Sequence, residues 1–202
     1  MRMKRLIKTI YYVCGRVVFI VELRRAIRNL RSGQKVYLVD IDNTLADTWP
    51  SLKDCIYHCE NQRYQTLSIF IGMRNYLLEI QKLHKVIFIS ARNYLTYGTT
   101  KRWLAECGME GSELILVPDT MEKIYFLLEL IMLKKEVVFI DDLSYNHEHG
   151  EVKNYDLMLS LLDQLPLTYI GINEIEIINS ANEAHHQDLK EIVPVVPDFG
   201  FH

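Results

Sequence analysis

The sequence has few cysteines and no regular cysteine spacing. Its four cysteines, Cys14, Cys55, Cys59 and Cys107, do not form the pattern of a disulfide framework. This absence favours a reducing compartment, and we predict a cytoplasmic protein. The segment Cys55-x-x-His58-Cys59 has the look of half a zinc site, but it lacks a second ligand pair. On a helix its two cysteines would simply share one face.

Long apolar runs, internal repeats and low-complexity segments are also absent. The longest apolar run near the start, Val17 to Val21, is bounded by Arg16 and Glu22. It is far shorter than the ~18 residues of a transmembrane helix, and no small-residue cleavage site of a signal peptide follows it. A chain of 202 residues that is 49% hydrophobic and 24% charged suits one compact domain, with room for a small appendage.

The net charge of −3 is small, but the charges are unevenly distributed. Residues 1–35 carry ten Lys/Arg and a single acid, Glu22, whereas the remaining residues carry 25 acids and thirteen Lys/Arg. This pattern predicts a basic helical arm over 1–34 attached to an acidic α/β core over 35–179. The tail over 180–202 ends in VPVVPDFGFH, whose prolines argue against a core strand. We expect the tail to wrap the surface or to be loose.

The arm has two apolar stripes with helical spacing. The first stripe is Leu6, Ile10, Val13 and Val17; the second is Phe19, Ile20, Leu23, Ile27 and Leu30. On one straight helix the stripes point to different sides, and Gly15 is a plausible break between two helical pieces. Docking on the protein's own body or on a second subunit is the preferred interpretation, because the stripes do not form one continuous face. The alternatives are an anionic membrane surface, to which the protein would be peripheral, and nucleic acid. The oligomeric state is left open.

The body alternates strand-like and helical segments. The apolar, β-like runs are Val36–Ile41, Val86–Ser90, Leu114–Pro118, Val137–Asp142 and Leu167–Ile172. The helical patterns cover about 51–83, 99–107, 121–133 and 153–164. Such alternation predicts βαβ units, and therefore an α/β fold with a mostly parallel five-stranded sheet in a Rossmann-like αβα sandwich.

Polar side chains stand at the ends of several predicted strands. The first strand ends at Asp40-x-Asp42, and the fourth ends at Asp141-Asp142. Ligands bind at the carboxyl ends of the strands in open parallel sheets, so these groups are expected to meet. Asp40, Asp42 and Asp142 would form a hard, oxygen-rich cluster of the kind that suits Mg²⁺.

Four short motifs together resemble those of the haloacid dehalogenase superfamily, in its phosphatase branch. They are DIDNTLAD (40–47), FISAR (88–92), Lys123 and FIDD (139–142). Their order and strand context agree as well, and the resemblance covers roughly residues 35–172. Asn43 stands where many members have glycine, a mild change because Asn tolerates unusual backbone angles.

The resemblance implies a Mg²⁺-dependent phosphatase that acts through an aspartyl-phosphate. Asp40 would be the nucleophile and a Mg²⁺ ligand. Asp42 would be the general acid/base and would bind Mg²⁺ through its backbone carbonyl. Asp142 would be the direct acidic ligand, with Asp141 in support. Because a carbon–halogen bond needs no such acid, Asp42 favours a phosphatase over a dehalogenase.

Thr44, Ser90 and Lys123 would bind the phosphoryl group. Lys134 and Lys135 compete with Lys123 for this role, but they precede the fourth strand and should lie at the opposite edge of the sheet. Lys123 starts a helix near the carboxyl edge, so we favour it.

Other residues near strand ends are weaker candidates. Asn146 would orient Asp142 or a water molecule, or else serve only as a turn residue. Trp49, Tyr94 and Tyr97 are candidates for lining a substrate pocket, or else partly buried aromatic rings. Arg92 is expected to form a surface ion pair. His147 and His149 are expected to lie in a solvated loop, from which they could reach the site, although the spacing does not show it.

The spacing of the motifs limits the size of any lid. Thr44 and Ser90 are 46 positions apart, which leaves room for a small helical insertion at about 48–80.

We favour a small phosphorylated metabolite or sugar as substrate. Ser90-Ala91-Arg92 and TTKRWLAECGM (99–109) are also similar to the phosphatase domains of polynucleotide kinase–phosphatases, which makes a polynucleotide or nucleotide phosphatase the alternative. The acidic body argues against a nucleic-acid partner. A second alternative is a non-catalytic binding module with the same fold.

Overall fold

The computed structural model describes the backbone of residues 2–53 and 57–191 and the side chains of residues 11–53 and 57–181. Its helices are α1 (Arg2–Ile27), α2 (Trp49–Lys53), α3 (Glu60–Gln65), α4 (Ile71–Gln81), α5 (Tyr97–Glu106), α6 (Lys123–Met132), α7 (Asp156–Leu162) and α8 (Ile172–Glu191). Its strands are β1 (Val36–Val39), β2 (Ala46–Asp47), β3 (Ser68–Ile69), β4 (Lys85–Ser90), β5 (Glu113–Leu116), β6 (Val137–Ile140), β7 (Ser144–Tyr145), β8 (Lys153–Asn154) and β9 (Thr168–Ile170). The predicted long helical pattern over 51–83 is divided among α2, α3 and α4.

The central sheet has five parallel strands in the order β5-β4-β1-β6-β9. In the middle strand β1, Val36 is aligned with Lys85 on one side and with Val137 on the other. Val36, Leu38 and Val39 are fully buried, as expected for a parallel strand that is covered on both faces. The predicted α/β fold with a five-stranded parallel sheet is therefore confirmed.

Helices cover both faces of this sheet. Because side chains alternate along a strand, Val86 and Phe88 of β4 pack with α3, α4, α5 and α8, whereas Ile87 and Ile89 pack with α1, α6 and α7. Full burial of each such side chain contributes about 1.5–3 kcal/mol. The result is the predicted αβα sandwich, in which α1 belongs to one of the two helical layers.

The helix α1 is continuous through Gly15, so the predicted break at this glycine is wrong. The glycine instead makes room for the ring of Tyr94, which also lies 5.2 Å from the Tyr11 ring and 5.5 Å from the Phe19 ring, measured between centroids. The Tyr94 hydroxyl donates a 3.4 Å hydrogen bond to the carbonyl of Tyr12. Gly15 is therefore a packing glycine within a helix, which the sequence pattern alone cannot distinguish from a helix breaker.

We expect Gly15→Ala to destabilise the protein, in contrast to the usual effect of alanine in a helix. An added Cβ would lie 2.1 Å from Tyr94 Cε2, and overpacking of this kind typically costs about 1–3 kcal/mol. The matched control is Gly98→Ala in α5, where an added Cβ meets nothing within 4 Å and a gain of about 0.5–1 kcal/mol is expected. Urea unfolding measures both changes. Equal stabilisation by the two substitutions would show that Gly15 is not a packing contact.

The second stripe of the arm packs on the body. Leu23 and Ile27 are buried in the same hydrophobic cluster as Phe126 of α6. Two ion pairs and one cation–π contact also join this part of α1 to residues 122–129: Arg16–Glu122 at 2.8 Å, Arg24–Glu129 at 2.5 Å, and Arg16 over the Tyr125 ring at 4.2 Å. This half of α1 thus completes the helical layer formed by α6 and α7.

The last described helix, α8, extends beyond residue 180, where the sequence predicted that a tail begins. α8 continues to Glu191, well beyond residue 180, and it packs on α4. The packing is close because Gly72 lacks a side chain; an added Cβ would lie 2.4 Å from Asn179 Cα. Asn179 also accepts a 2.8 Å hydrogen bond from the backbone N–H of Met73.

The segment VPVVPDFGFH and Cys55 lie outside the described residues. In the part of the chain that is described, no helix combines the length and the apolar character needed to cross a membrane.

Candidate functional site

Three buried carboxylates converge at the carboxyl edge of the sheet. Asp40 follows β1, and Asp141 and Asp142 follow β6; the two strands are parallel neighbours in register, with Val39 opposite Ile140. One carboxylate oxygen from each aspartate lies within 4.8 Å of the others. The register of two adjacent strands therefore brings together acids that are a hundred residues apart in the sequence.

Lys123, the first residue of α6, is the lysine that meets this cluster. Its Nζ atom is 2.7 Å from Asp40 Oδ1 and 2.7 Å from Asp141 Oδ2, and the side chain is almost completely buried. Lys134, by contrast, is exposed two residues beyond the far end of this helix. The position at the start of α6 thus brings the ammonium group to the edge of the sheet where the acids lie.

The cluster carries more negative than positive charge when its acids are ionised. Burial raises the pKa of Asp40 well above its usual range, Lys123 opposes this, and the carboxylate of Asp141 adds to it. Burial, together with the charge of Asp141, raises the pKa of Asp142 to about 7. For Lys123, burial disfavours the charge, but Asp141 and Asp40 outweigh it and raise the pKa of the ammonium group.

The donor set of the cluster fits a hard divalent cation. Its ligand atoms are all carboxylate oxygens, which Mg²⁺ prefers in proteins. Three carboxylates face one ammonium group, so a bound cation would offset the remaining repulsion. Asp40, Asp141 and Asp142 are therefore the residues that could hold a metal ion.

Two hydroxyl groups position Asp142. Thr44 Oγ1 accepts a 3.1 Å hydrogen bond from the backbone N–H of Asp142 and lies 3.5 Å from its Oδ1. The Ser144 hydroxyl donates to Asp142 Oδ2 and lies 2.6 Å from His147 Nε2. His147 Nε2 is itself 3.7 Å from the Asp142 carboxylate. His147 thus reaches the acidic cluster, which is the alternative that the sequence left open.

Asp42 lines the same small cavity as the three-carboxylate cluster, but its carboxylate is bound by a partner of its own, Arg92. The guanidinium binds both carboxylate oxygens, with Nε 2.8 Å from Oδ2 and Nη2 2.7 Å from Oδ1. The Ser90 hydroxyl donates a further 2.8 Å hydrogen bond to Oδ2. Burial raises the pKa of Asp42, but Arg92 and Ser90 outweigh it and lower the pKa overall. Arg92 and Ser90 therefore favour the ionised form of the Asp42 carboxylate.

The prediction that Arg92 forms a surface ion pair is wrong. Arg92 is 2% exposed and packs under the ring of Tyr64, with the guanidinium carbon 3.9 Å from the ring centroid. Its Nη1 also donates to the Thr100 hydroxyl at 3.2 Å. A bidentate pair with a buried guanidinium holds the Asp42 carboxylate in one orientation, even though the carboxylate itself is partly exposed.

The loop after β1 forms a tight turn that begins a small lid. Asn43 has a left-handed backbone with φ of 57°, and its N–H donates to the Ala46 carbonyl at 2.8 Å. Asparagine tolerates this conformation better than most residues do. β2 then pairs with β3, and α2 and α3 lie between them in sequence. The insertion is shorter than the predicted 48–80, because α4 belongs to the helical layer that packs on the sheet.

Two cavities meet at this lid. The smaller, of about 140 Å³, is bounded by the acidic cluster and Lys123. The larger, of about 430 Å³, is lined by Trp49, Phe70 and Ile175, among others. Asn43 and Asp142 line both cavities. The larger cavity therefore opens directly beside the carboxylates.

A known protein shares this fold. A chain of the solved Pnkp1/Rnl/Hen1 complex matches with a TM-score of 0.50 and 20% sequence identity. The match covers 70% of the present chain and 47% of that chain, so the present chain spans about half of its length. At this identity the likeness establishes the fold alone. No protein-family model matches the sequence, and no curated protein sequence does either.

The predicted pocket residues separate into two groups. Trp49 lines the larger cavity, with its ring centroid 5.9 Å from that of His147. Tyr94 and Tyr97 instead contact α1, where both rings lie within 6.0 Å of the Phe19 ring. These two tyrosines are thus part of the contact between arm and body, which sequence reasoning could not anticipate because the partner is so distant in the chain.

Asn146 lies in the loop after β7 and has a structural role there. Its backbone is left-handed, with φ of 69°, and its Nδ2 donates a 2.9 Å hydrogen bond to the Glu151 carbonyl. Asn146 therefore serves as a turn residue, which is one of the two roles that the sequence left open.

Sequence reasoning missed the roles of Arg92 and Ser144 at the site, and it left the role of His147 open. All three follow a strand of the central sheet by a few residues, at the carboxyl edge. For Arg92, which is two residues beyond Ser90, this position could have indicated a role at the site. Tyr64, which covers Arg92, carried no such signal because it lies in the insertion.

Proposed function

We propose that this protein is a metal-dependent phosphohydrolase of the haloacid dehalogenase superfamily, in its phosphatase branch. The observation that supports this most is the buried cluster of Asp40, Asp141 and Asp142 around Lys123. Buried carboxylates repel one another. A protein retains such a cluster where a cation and an anionic substrate share the site. The four motifs that resemble the superfamily meet at this one edge of the sheet.

Asp40 is the proposed nucleophile. Its carboxylate oxygen would form a bond to phosphorus as the ester P–O bond breaks, which gives an aspartyl-phosphate. Burial raises the pKa of Asp40, so the ionised carboxylate that this attack requires depends on Lys123, 2.7 Å away, together with a bound cation. Mg²⁺ would be held by Asp40, Asp142 and the backbone carbonyl of Asp42, and would neutralise charge on the carboxylates and on the phosphate oxygens. Asp141 would support them, because its carboxylate oxygens already accept from Lys123 and from the backbone N–H of Leu143.

Asp42 is the proposed general acid and base. In the first step it would give a proton to the leaving oxygen, and in the second it would take a proton from the water that attacks phosphorus. The second step breaks the bond from phosphorus to Asp40 and releases phosphate. The ionised state imposed by Arg92 suits the second step. Protonation before the first step requires that the negative charge of bound phosphate raise the pKa of Asp42.

Ser90 and Lys123 are proposed to bind the phosphoryl oxygens. Lys123 lines the small cavity and donates to Asp40, and the Ser90 hydroxyl donates to Asp42, which lines the same cavity. Donors held in place before reaction stabilise charge as it shifts in the transition state. Thr44 contributes indirectly in this structure, because its hydroxyl is engaged with Asp142.

The leaving group is proposed to occupy the larger cavity. A volume of about 430 Å³ suits a small molecule. The carboxylates of Asp47 and Glu176 line this cavity and disfavour a polyanionic chain. We therefore favour a small phosphorylated metabolite or sugar. A nucleotide is the second candidate, because the Trp49 ring at the cavity offers a surface on which a base can stack.

A phosphate-ester panel tests this proposal. The panel contains an aryl phosphate, sugar phosphates, nucleoside monophosphates and an oligonucleotide with a 3′-phosphate, each with Mg²⁺ or with EDTA. We expect phosphate release that requires Mg²⁺ and that is faster for the small esters than for the oligonucleotide. If the protein is folded by circular dichroism and releases no phosphate from any ester with Mg²⁺, the enzyme proposal fails and a binding module remains.

A further inference from the structure

The described members of the first apolar stripe of α1, Val13 and Val17, are exposed to solvent. Val13, Val17 and Val21 follow one another at intervals of four residues, and Val18 lies beside them; these four side chains are 48–57% exposed. Four half-exposed valines on one helix face form a contiguous apolar surface, which scattered surface residues do not. This surface is called the valine stripe below.

The arm has two apolar faces, which are the valine stripe and the second stripe that packs on the body. At about 100° per residue, the valine stripe and the line through Phe19, Leu23 and Ile27 are about a third of a turn apart. The docked side is buried against the body, which leaves the valine stripe facing away from it. The two stripes therefore belong to one continuous helix that is able to contact two different partners.

Basic side chains flank the valine stripe at both ends in sequence. After the stripe, Arg28 and Arg31 lie just beyond the end of α1 and are exposed. Arg24 and Arg25 are also largely exposed, although their guanidinium groups are paired with Glu129 and Glu22. Before the stripe, the sequence has Arg2, Lys4, Arg5 and Lys8. An apolar strip between two groups of cations is complementary to a lipid surface, where acyl chains lie below a layer of anionic phosphates.

A second copy of the chain is a poorer occupant for this surface. Two such helices packed stripe to stripe would bring their arginines together, and like charges repel. A bilayer with anionic lipids offers opposite charge along the whole helix, and the guanidinium groups can bind lipid phosphates in a bidentate way.

We propose that the valine stripe of α1 binds the surface of anionic phospholipid membranes, with the helix lying in the plane of the interface. The α/β body would then be held at the membrane by the docked face of the same helix. This inference is independent of the proposed phosphatase activity, because the valine stripe shares no residue with the carboxylate site.

Vesicle co-sedimentation of the full chain tests the proposal. The vesicles are pure phosphatidylcholine, or phosphatidylcholine with about one-third phosphatidylserine, at low and high salt. The variant Val13→Gln/Val17→Gln/Val21→Gln removes the apolar surface without a change of charge, and Gln is a good helix former. The matched control is Leu83→Gln/Leu157→Gln, because both leucines are exposed elsewhere on the body.

We expect the wild type and the control to pellet with the anionic vesicles and much less with pure phosphatidylcholine. The stripe variant should lose at least about tenfold in vesicle affinity. Arg28→Gln/Arg31→Gln should weaken binding more at low salt than at high salt, because the charge contribution is screened by salt. Circular dichroism and aryl-phosphate hydrolysis serve as folding controls for the variants.

Three results would overturn the proposal. One is a wild type that does not pellet with anionic vesicles at low salt. Another is a stripe variant that pellets as well as the wild type. The third is a wild-type dimer in analytical ultracentrifugation that the stripe substitutions convert to a monomer, with negligible pelleting throughout; a second copy would then be the occupant.

Discussion

Replacement of Asp40 by asparagine is expected to lower kcat for phosphate-ester hydrolysis by at least about 10³-fold, because a neutral amide is not a competent nucleophile. The amide has the same shape as the carboxylate, and its oxygen can still accept the hydrogen bond from Lys123. Steady-state hydrolysis of the best ester in the panel measures the effect. The matched control is Asp163→Asn at an exposed position on the surface, which should leave kcat unchanged.

The same substitution should not unfold the protein. Asp40 is buried beside two other carboxylates, and removal of one charge relieves their repulsion. We therefore expect the free energy of unfolding in EDTA to stay level or rise, so that stability and activity change independently. Retention of more than about a tenth of the wild-type kcat would exclude Asp40 as the nucleophile.

Replacement of Lys123 by methionine is expected to produce the largest loss of stability, about 3–5 kcal/mol in the free energy of unfolding. The ammonium group is the direct partner of Asp40 and Asp141, which would both remain buried without it. Urea unfolding in EDTA measures the loss. Addition of Mg²⁺ should recover part of it, because a bound cation offsets the same carboxylates.

Lys134→Met is the control for this experiment. Lys134 is exposed on the same segment of chain, and substitutions at such positions usually change stability by less than about 0.5 kcal/mol. If both variants lose the same stability, or if Mg²⁺ fails to stabilise the Lys123→Met variant, the ammonium group is not what balances the acidic cluster.

The sequence was sufficient to predict the sheet and the location of the acids. Five apolar runs separated by helical patterns admit few folds other than a parallel sheet between helices. In such a sheet the residues that follow strands meet at one edge, and this places Asp40 beside Asp141 and Asp142. The same rule selected Lys123, because its helix begins at that edge.

Contacts between distant parts of the chain could not be predicted in this way. Arg92 has no local feature that distinguishes a buried bidentate pair from a surface ion pair, since its burial depends on Tyr64 and Thr100. Tyr94 follows a strand end, as a pocket residue would, yet it packs on Gly15 about eighty residues earlier. A glycine in a helical pattern is compatible both with a break and with close packing, and only the partner distinguishes the two.

The protonation state of Asp42 could not be predicted from the sequence either, because it depends on a contact with Arg92. The resemblance to the superfamily implied a carboxyl group that carries a proton, whereas the structure pairs this carboxylate with Arg92 and lowers its pKa. A general acid in this position depends on substrate to raise its pKa. An aryl phosphate, whose leaving group needs little protonation, should therefore depend less on Asp42 than an alkyl phosphate does.

The most direct test of the account is chemical trapping of the intermediate on Asp40. Borohydride reduces an aspartyl-phosphate to homoserine, which peptide mass spectrometry can locate in the chain. The Asp42→Asn variant is the protein of choice, because it lacks the base for the second step and should accumulate the intermediate from an aryl phosphate with Mg²⁺. The account predicts homoserine at position 40, and none when Mg²⁺ is replaced by EDTA. Homoserine at another aspartate, or unmodified Asp40 while aryl alcohol is released, would contradict it.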